Sequence, residues 1–183
     1  PRRFHTAAHV GGWEKDPYVE VINPVVEGIK GVLASAKKAG VTRVVMTSST
    51  FAVFDPITQP AKPPTSGEGG LYNEEDFNTS TGEEVIRSTE NPWGAYGASK
   101  AISEAEAWKT SKELGLDLIT INPGVVYGPP CCTAGGATVA ILSASISEPH
   151  PLIVGGLFAL VDVRDIAKAH IAAAETPSAS GRY

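Results

Sequence analysis

Residues 41–50 read Val41-Thr42-Arg43-Val44-Val45-Met46-Thr47-Ser48-Ser49-Thr50, a β-branched run that closes on four hydroxyl side chains. An apolar run without polar alternation reads as a strand buried on both faces, the form strands take when a parallel sheet is covered by helices. Both flanks fit that frame. Upstream, Asp16 to Lys38 reads as a helix, because Val21, Val25, Ile29, Val32, Leu33 and Ala36 recur at three- and four-residue spacing. Gly40 is its natural C-terminal cap, and Pro24 predicts a kink or a start near that position. Phe4 to Ala8 reads as a further strand. Downstream, Asn91-Pro92 opens a helix from Trp93 to Leu114 that Gly115 closes. Leu116 to Ile121 is the next buried strand, and Asn122-Pro123-Gly124 breaks it. A short helix is expected near Thr138 to Ser147, and a last one over Ile166 to Ala174 with Asp165 as its cap. Strands alternating with helices predict an α/β fold, a Rossmann-like parallel sheet flanked by helices.

The chain of 183 residues is long enough for one domain with a sizeable core. A net charge of −5 argues against a nucleic-acid partner, which would call for a basic face. No apolar run approaches the ~18 residues that span a bilayer, so no membrane segment is expected. The two cysteines, Cys131 and Cys132, are adjacent, a poor geometry for a disulfide or a metal cage, and read as reduced thiols in the cytoplasm. Both ends of the chain read as cut, since it opens into the strand from Arg3 and stops at Gly181-Arg182-Tyr183 as if a strand were starting. The long stretch from Phe54 to Pro92 is rich in Pro, Gly, Ser and Thr, and a substrate-side lid is its natural reading. Within it, Glu74-Glu75-Asp76 reads as a solvated face rather than an acid–base pair.

The chemistry centres on Tyr96 and Lys100, four apart on the helix over 93–114, hence on one face and one turn apart. A phenol donates its proton poorly at neutral pH, but a neighbouring ammonium stabilises the phenolate and would lower its pKa. Such a tyrosine can protonate the alkoxide formed when hydride reaches a carbonyl carbon. Ser49, at the carboxyl end of the strand over 41–47, is the candidate to hold the carbonyl oxygen, because open α/β sheets bind ligands at that edge. Taken alone, a tyrosine four before a lysine is a weak signal. Order strengthens it: a strand ending in Ser-Ser, a long loop, the Tyr-x-x-x-Lys helix, and a strand ending in Asn-Pro-Gly. His5 and His9 lack nearby carboxylates at ligand spacing, so no metal is expected. Trp13, Phe51, Trp93 and Tyr127 are candidate pocket walls.

The chain resembles the extended branch of the short-chain dehydrogenase/reductases, the branch of the NAD-dependent epimerases and dehydratases. Within it, the chain is similar to the dihydroflavonol reductase, cinnamoyl-CoA reductase and fungal aldehyde or ketone reductase group. The resemblance rests on Phe4-His5-Thr6-Ala7-Ala8, Val21-Ile22-Asn23-Pro24, Met46-Thr47-Ser48-Ser49, Tyr96-Gly97-Ala98-Ser99-Lys100, Asn122 to Pro129, and Val161 to Ala167, in that order. It implies Tyr96 as proton donor, Lys100 as partner of the nicotinamide ribose, and Ser49 as carbonyl anchor. It also implies NADP (or NAD) bound along Ala7, Ala8, Thr47, Pro123, Gly124 and Val126, with Phe51 and Tyr127 towards a small-molecule carbonyl substrate. By the same resemblance the chain would lack the family's N-terminal βαβ unit with its glycine-rich turn. Residues 1–183 would then be a single incomplete nucleotide-binding domain carrying part of the substrate-binding region, about 128–160. A homodimer would use the outer faces of the two long helices. Epimerases often carry an asparagine on the helix over 16–38, but Gly28 puts Val25 in that register, and Asn23 falls two residues away. A nucleotide-sugar epimerase or dehydratase is the alternative enzyme, although Thr50-Phe51 stand where dehydratases carry Asp-Glu. An inactive fragment is the alternative from another class.

Overall fold

The computed structural model describes residues 1–8, 16–55, 72–88, 93–131, 136, 138–140, 143 and 159–183. Four strands form the main sheet: β1 (Arg2–His5), β2 (Arg43–Thr47), β3 (Asp117–Ile121) and β6 (Gly181–Arg182). They lie in the order β1-β2-β3-β6 and every pair is parallel. Pairing of His5 with Met46 and of Thr47 with Ile121 brings the carboxyl ends of the first three strands to one edge. A separate pair, β4 (Val125–Tyr127) and β5 (Leu160–Asp162), is also parallel.

The buried strands alternate between two helical layers. Val44, Met46 and Leu118 pack with Ile29, Leu33 and Ala36 of α1 (Asn23–Lys38) and Ala107 of α3 (Gly94–Leu114). Val45, Ile119 and Ile121 point the other way, onto Ala173 and Ala174 of α4 (Val163–Glu175). The unbroken apolar runs of β2 and β3 follow from this, since both faces of each strand are covered.

Local chemistry accounts for the element ends. Asp16 Oδ1 accepts the N–H groups of Tyr18 and Val19 at 2.9 and 3.4 Å, opening a π-helical turn over Tyr18–Ile22 before α1 begins at Asn23. Pro24 has no N–H for the carbonyl four residues back, so the widened turn and fresh start replace a kink. Gly115 ends α3 at φ 61°, a left-handed cap that favours glycine, and the Leu116 N–H returns to Ser111 O at 2.9 Å.

Several expectations need correction. The first strand stops at His5 rather than Ala8, where pairing with β2 ends. Val32 is 38% exposed because it lies off the stripe formed by Ile29, Leu33 and Ala36. Asp162, not Asp165, caps α4: its carboxylate accepts the Arg164 N–H at 2.8 Å. Arg164 also pairs with it at 2.6 Å and holds it well below the usual carboxylate range. The stretch over 54–92 contains α2 (Glu83–Ile86), and Asp76 is buried with its carboxylate accepting the Asn73 N–H at 3.0 Å. Only Glu74 and Glu75 of that acidic trio face solvent. The helix expected over 138–147 is helical at 138–140 and 143, and its other residues lie outside those described.

Arg43 locks the amino end of the sheet to the end of α4. Its Nε donates to Asp117 Oδ2 at 2.6 Å, and its two terminal nitrogens donate to the carbonyls of Ala173, Thr176, Pro177 and Ala179 at 2.6–3.2 Å. The fork geometry of a guanidinium matches this set, whereas a lysine could not serve it. Arg43→Ala is expected to lower unfolding stability by about 2–3 kcal/mol, measured by denaturant titration, with Arg43→Lys recovering less than half.

Candidate active site

Three pieces of backbone meet at the carboxyl edge of the sheet. The chain leaving β2 makes a 3-10 turn over Thr50–Ala52, and Ser49 caps it: its Oγ accepts the Phe51 N–H at 3.2 Å. The chain leaving β3 is tied to the same turn, with the Thr50 N–H on Pro123 O at 2.9 Å. The first turns of α3 supply the third piece, and the Phe51 ring packs edge-on to Tyr96 at 5.6 Å between centroids. Gly97 makes that contact possible, because a Cβ there would stand 2.9 Å from Phe51 Cδ1. Trp93 adds a second edge-on ring at 6.0 Å from Tyr96.

Lys100 lies one turn further along the same face. Its Nζ is 5.7 Å from the centroid of the Tyr96 ring, and the residue is 6% exposed. Among the described residues, no carboxylate reaches its ammonium within salt-bridge distance and no hydrogen bond engages it, although the charge of Glu104 acts on it. Burial pushes the ammonium below its ordinary pKa, and the charge of Glu104 partly opposes this. Burial also pushes the Tyr96 phenol above its ordinary value. This direction is opposite to the one expected from the sequence, because desolvation of the phenolate outweighs the lysine at this separation. Tyr96 is therefore a firmly protonated phenol next to a buried cation whose donors are not spent on the described residues.

His5 ends β1 at the same edge, and burial, followed by the charge of Lys100, pushes its imidazole below the ordinary value. Thr47 ends β2 with its Oγ1 2.7 Å from His170 Nε2, while His170 Nδ1 lies 2.8 Å from the Ile166 carbonyl. The carbonyl can only accept, so Nδ1 carries a proton, and in the neutral ring the Thr47 hydroxyl donates to Nε2. His170, 7% exposed, thus orients a residue at the edge that the sequence reading assigned to the cofactor. Ala7 and Ala8 follow β1 as exposed coil. Pro123 is buried beside the Ser49 turn, and Val126 and Tyr127 are half-buried in β4. The structure therefore brings Ser49, Phe51, Tyr96 and Lys100 together, whereas Tyr127 stands on the smaller sheet. His9, Trp13 and Cys132 lie outside the described residues, and Cys131 is exposed.

Gly124 has a packing reason for its identity. A Cβ on it would meet the Ala159 carbonyl oxygen at 1.9 Å, beside the hydrogen bond from Val125 N–H to that oxygen at 2.8 Å. Gly124→Ala is expected to part β4 from β5 and to cost about 2–3 kcal/mol, read as a drop in melting temperature.

Sequence reading missed Glu104. It is 1% exposed and lies two turns beyond Tyr96 and one beyond Lys100 on the same helix face. The spacing 96-100-104 was the available signal.

The model of the NAD dependent epimerase/dehydratase family matches residues 4–183. Cinnamoyl-CoA reductase 1 of Petunia hybrida is 38% identical over 181 residues, covering 98% of this chain and 49% of that protein. An anthocyanidin reductase of Vitis vinifera is 33% identical over 189 residues, covering 98% and 53%. The chain thus spans about half the length of the curated relatives it matches. Among solved structures, a reductase from structure-guided engineering against substrate inhibition superposes with a TM-score of 0.81 at 27% identity, over 99% of this chain and 55% of that one. Vestitone reductase from alfalfa shares the fold, with a TM-score of 0.69 at 22% identity over 100% and 53%. Among the described residues, no helix is long and apolar enough to cross a membrane.

Proposed function

Since this chain belongs to the NAD dependent epimerase/dehydratase family, we propose that it carries the proton-donating half of an NAD(P)H-dependent carbonyl reductase active site. The observation that carries the reading is the Tyr96–Lys100 pair: a protonated phenol and a buried ammonium on one helix face, beside the turn capped by Ser49. Reductases among the similar proteins support the same reading.

When bound, the nicotinamide cofactor supplies the hydride that reduces the carbonyl carbon. The residues of this chain do the rest. The Ser49 hydroxyl uses its oxygen to cap the turn, which leaves its proton free to hold the substrate carbonyl oxygen. Tyr96 gives its phenolic proton to that oxygen as the C–H bond forms, so the products are an alcohol and the oxidised cofactor. Lys100 has the donors to hold the ribose hydroxyls of the cofactor, and its charge offsets the phenolate left on Tyr96. A cation at this separation lowers a phenolate's proton affinity more strongly once the site is shielded from water. Phe51 and Trp93 wall the approach to Tyr96.

In this reading the chain forms a single incomplete nucleotide-binding unit in the cytoplasm, residues 128–160 contribute to the substrate side, and a homodimer would form through the outer faces of the two long helices. Sedimentation that shows only monomers would remove the dimer without touching the chemistry. The reaction is tested by following cofactor oxidation in the protein that carries this chain, with ketones, aldehydes and UDP-sugars offered separately. Carbonyl-dependent oxidation of NADPH or NADH is expected. Conversion of a UDP-sugar without any carbonyl reduction would sink the proposal in favour of epimerase chemistry.

A further inference from the structure

We infer that Glu104, paired with Arg182, is a positioning residue that fixes the Ser49 turn relative to the helix carrying Tyr96 and Lys100. The inference rests on the reading of those three residues as the reactive site. Glu104 Oε1 accepts from Arg182 Nε at 2.6 Å and from Trp108 Nε1 at 3.3 Å. Its Oε2 accepts from the Ser48 hydroxyl and from Asn122 Nδ2, the latter at 2.7 Å. Four donors fill the four lone-pair sites of one carboxylate.

These partners lead directly into the site. Ser48 precedes the cap residue Ser49, and its own N–H is held by Ile121 O at 2.7 Å. Asn122 Nδ2 also donates to Ser49 O at 3.2 Å, so Glu104 and Ser49 together fix the orientation of that amide. The other end of the turn is held through Arg182. Its guanidinium donates to Ala52 O at 3.2 Å, and to Glu74 O and Asp76 O at 2.8 and 2.6 Å. Phe77 stacks on it with 4.0 Å between the guanidinium carbon and the ring centroid. One buried ion pair therefore grips the Ser49–Ala52 turn at both ends, with Glu104 on the helix face that bears Tyr96 and Lys100 and Arg182 on β6.

An ion pair buried this deeply, with side chains 7% and 2% exposed, is a poor device for stability alone. Desolvation of both charges offsets much of their attraction, and an apolar pair of equal volume often does as well. What the pair provides instead is directional: six hydrogen bonds beyond the ion pair itself, fanned over Ser48 after β2, Asn122 after β3, Ala52 of the turn, Trp108 of α3 and the loop at 74–76. Ångström-scale errors in the placement of reacting groups are costly for catalysis.

The test is site-resolved hydrogen exchange on the protein that carries this chain, comparing wild type with Ser48→Ala, Glu104→Gln and Arg43→Ala. Ser48→Ala removes one strut and leaves the ion pair intact, so it decides the matter even if Glu104→Gln fails to fold. Arg43→Ala weakens the fold at the far end of the sheet and serves as the control. In Ser48→Ala, the amides of Phe51, Ala52 and Val53 are expected to exchange about ten-fold faster than in the control adjusted to equal global stability. Where turnover is measured, kcat should fall while KM for substrate and cofactor stays put, and Ser48→Thr should restore both readouts. Exchange that rises evenly across the chain, in step with global stability, would overturn the inference. Absence of carbonyl-dependent turnover in the wild-type protein that carries this chain would count against the reductase reading, and the exchange comparison would still decide the positioning.

Discussion

Tyr96→Phe is expected to slow carbonyl reduction by about 10²–10⁴-fold, the usual contribution of a positioned general acid. The substitution removes one oxygen and leaves the ring. The edge-on contacts to Phe51 at 5.6 Å and Trp93 at 6.0 Å therefore persist, as does the Lys100 ammonium 5.7 Å from the ring centroid. Melting temperature and cofactor affinity should consequently stay close to wild type. This separates a lost proton donor from a collapsed site, which would lower all three. Retention of more than about a tenth of the wild-type kcat in Tyr96→Phe would mean that the proton comes from elsewhere, and Ser49 would be the next residue to substitute.

Lys100→Met is expected to abolish measurable turnover while raising stability by about 1–2 kcal/mol. A buried ammonium without an ion pair among the described residues is a cost to the fold, and a methionine of similar shape removes it. The pH dependence follows from the direction of the shift. Burial lowers the folded-state pKa of Lys100 below the 10.5 of the free side chain. Between those two values the unfolded chain binds more protons than the folded one, so wild-type stability rises with pH there. The advantage of Lys100→Met is therefore full below the folded-state pKa and shrinks as the pH climbs from there towards 10.5. In turnover the same titration gives an alkaline limb below the ordinary lysine range. Of the two groups only Lys100 moves downward, since burial moves the Tyr96 phenol the other way. Melting curves of both proteins at several pH values check the stability claim, and a kcat/KM profile checks the limb.

The parts of the fold that were legible in the sequence are those where one physical signal dominates. β2 and β3 are covered on both faces and read as unbroken apolar runs, and Gly115 terminates α3 where its left-handed φ is needed. What escaped is of two kinds. Strands of three residues, such as Val125–Tyr127 and Leu160–Asp162, are too short to show a period, and they pair across more than thirty intervening positions. Two aspartates within four residues, Asp162 and Asp165, are equivalent as caps until the backbone decides between them.

The site divides the same way. Tyr96, Lys100 and Ser49 enter the candidate site through spacing and order along the chain alone. Glu104 was hidden because α3 buries a polar stripe: Ser99, Lys100, Ser103, Glu104 and Ser111 all lie inside. Helical polar residues ordinarily face water, so nothing in composition marks these as buried. Arg182 was out of reach for a different reason. Its partners at Ala52, Glu74, Asp76 and Glu104 come from segments that only the folded sheet brings together. The phenol pKa was misread because spacing reports the neighbouring charge and not the desolvation that outweighs it.

The most direct test of the account is titration of NADPH into wild type, Tyr96→Phe and Lys100→Met. If one helix face divides the work between proton delivery and grip on the cofactor, Tyr96→Phe binds as wild type does, and Lys100→Met binds at least about ten-fold more weakly. Equal affinity in wild type and Lys100→Met would contradict the account, because the buried ammonium would then have no part in holding the nucleotide.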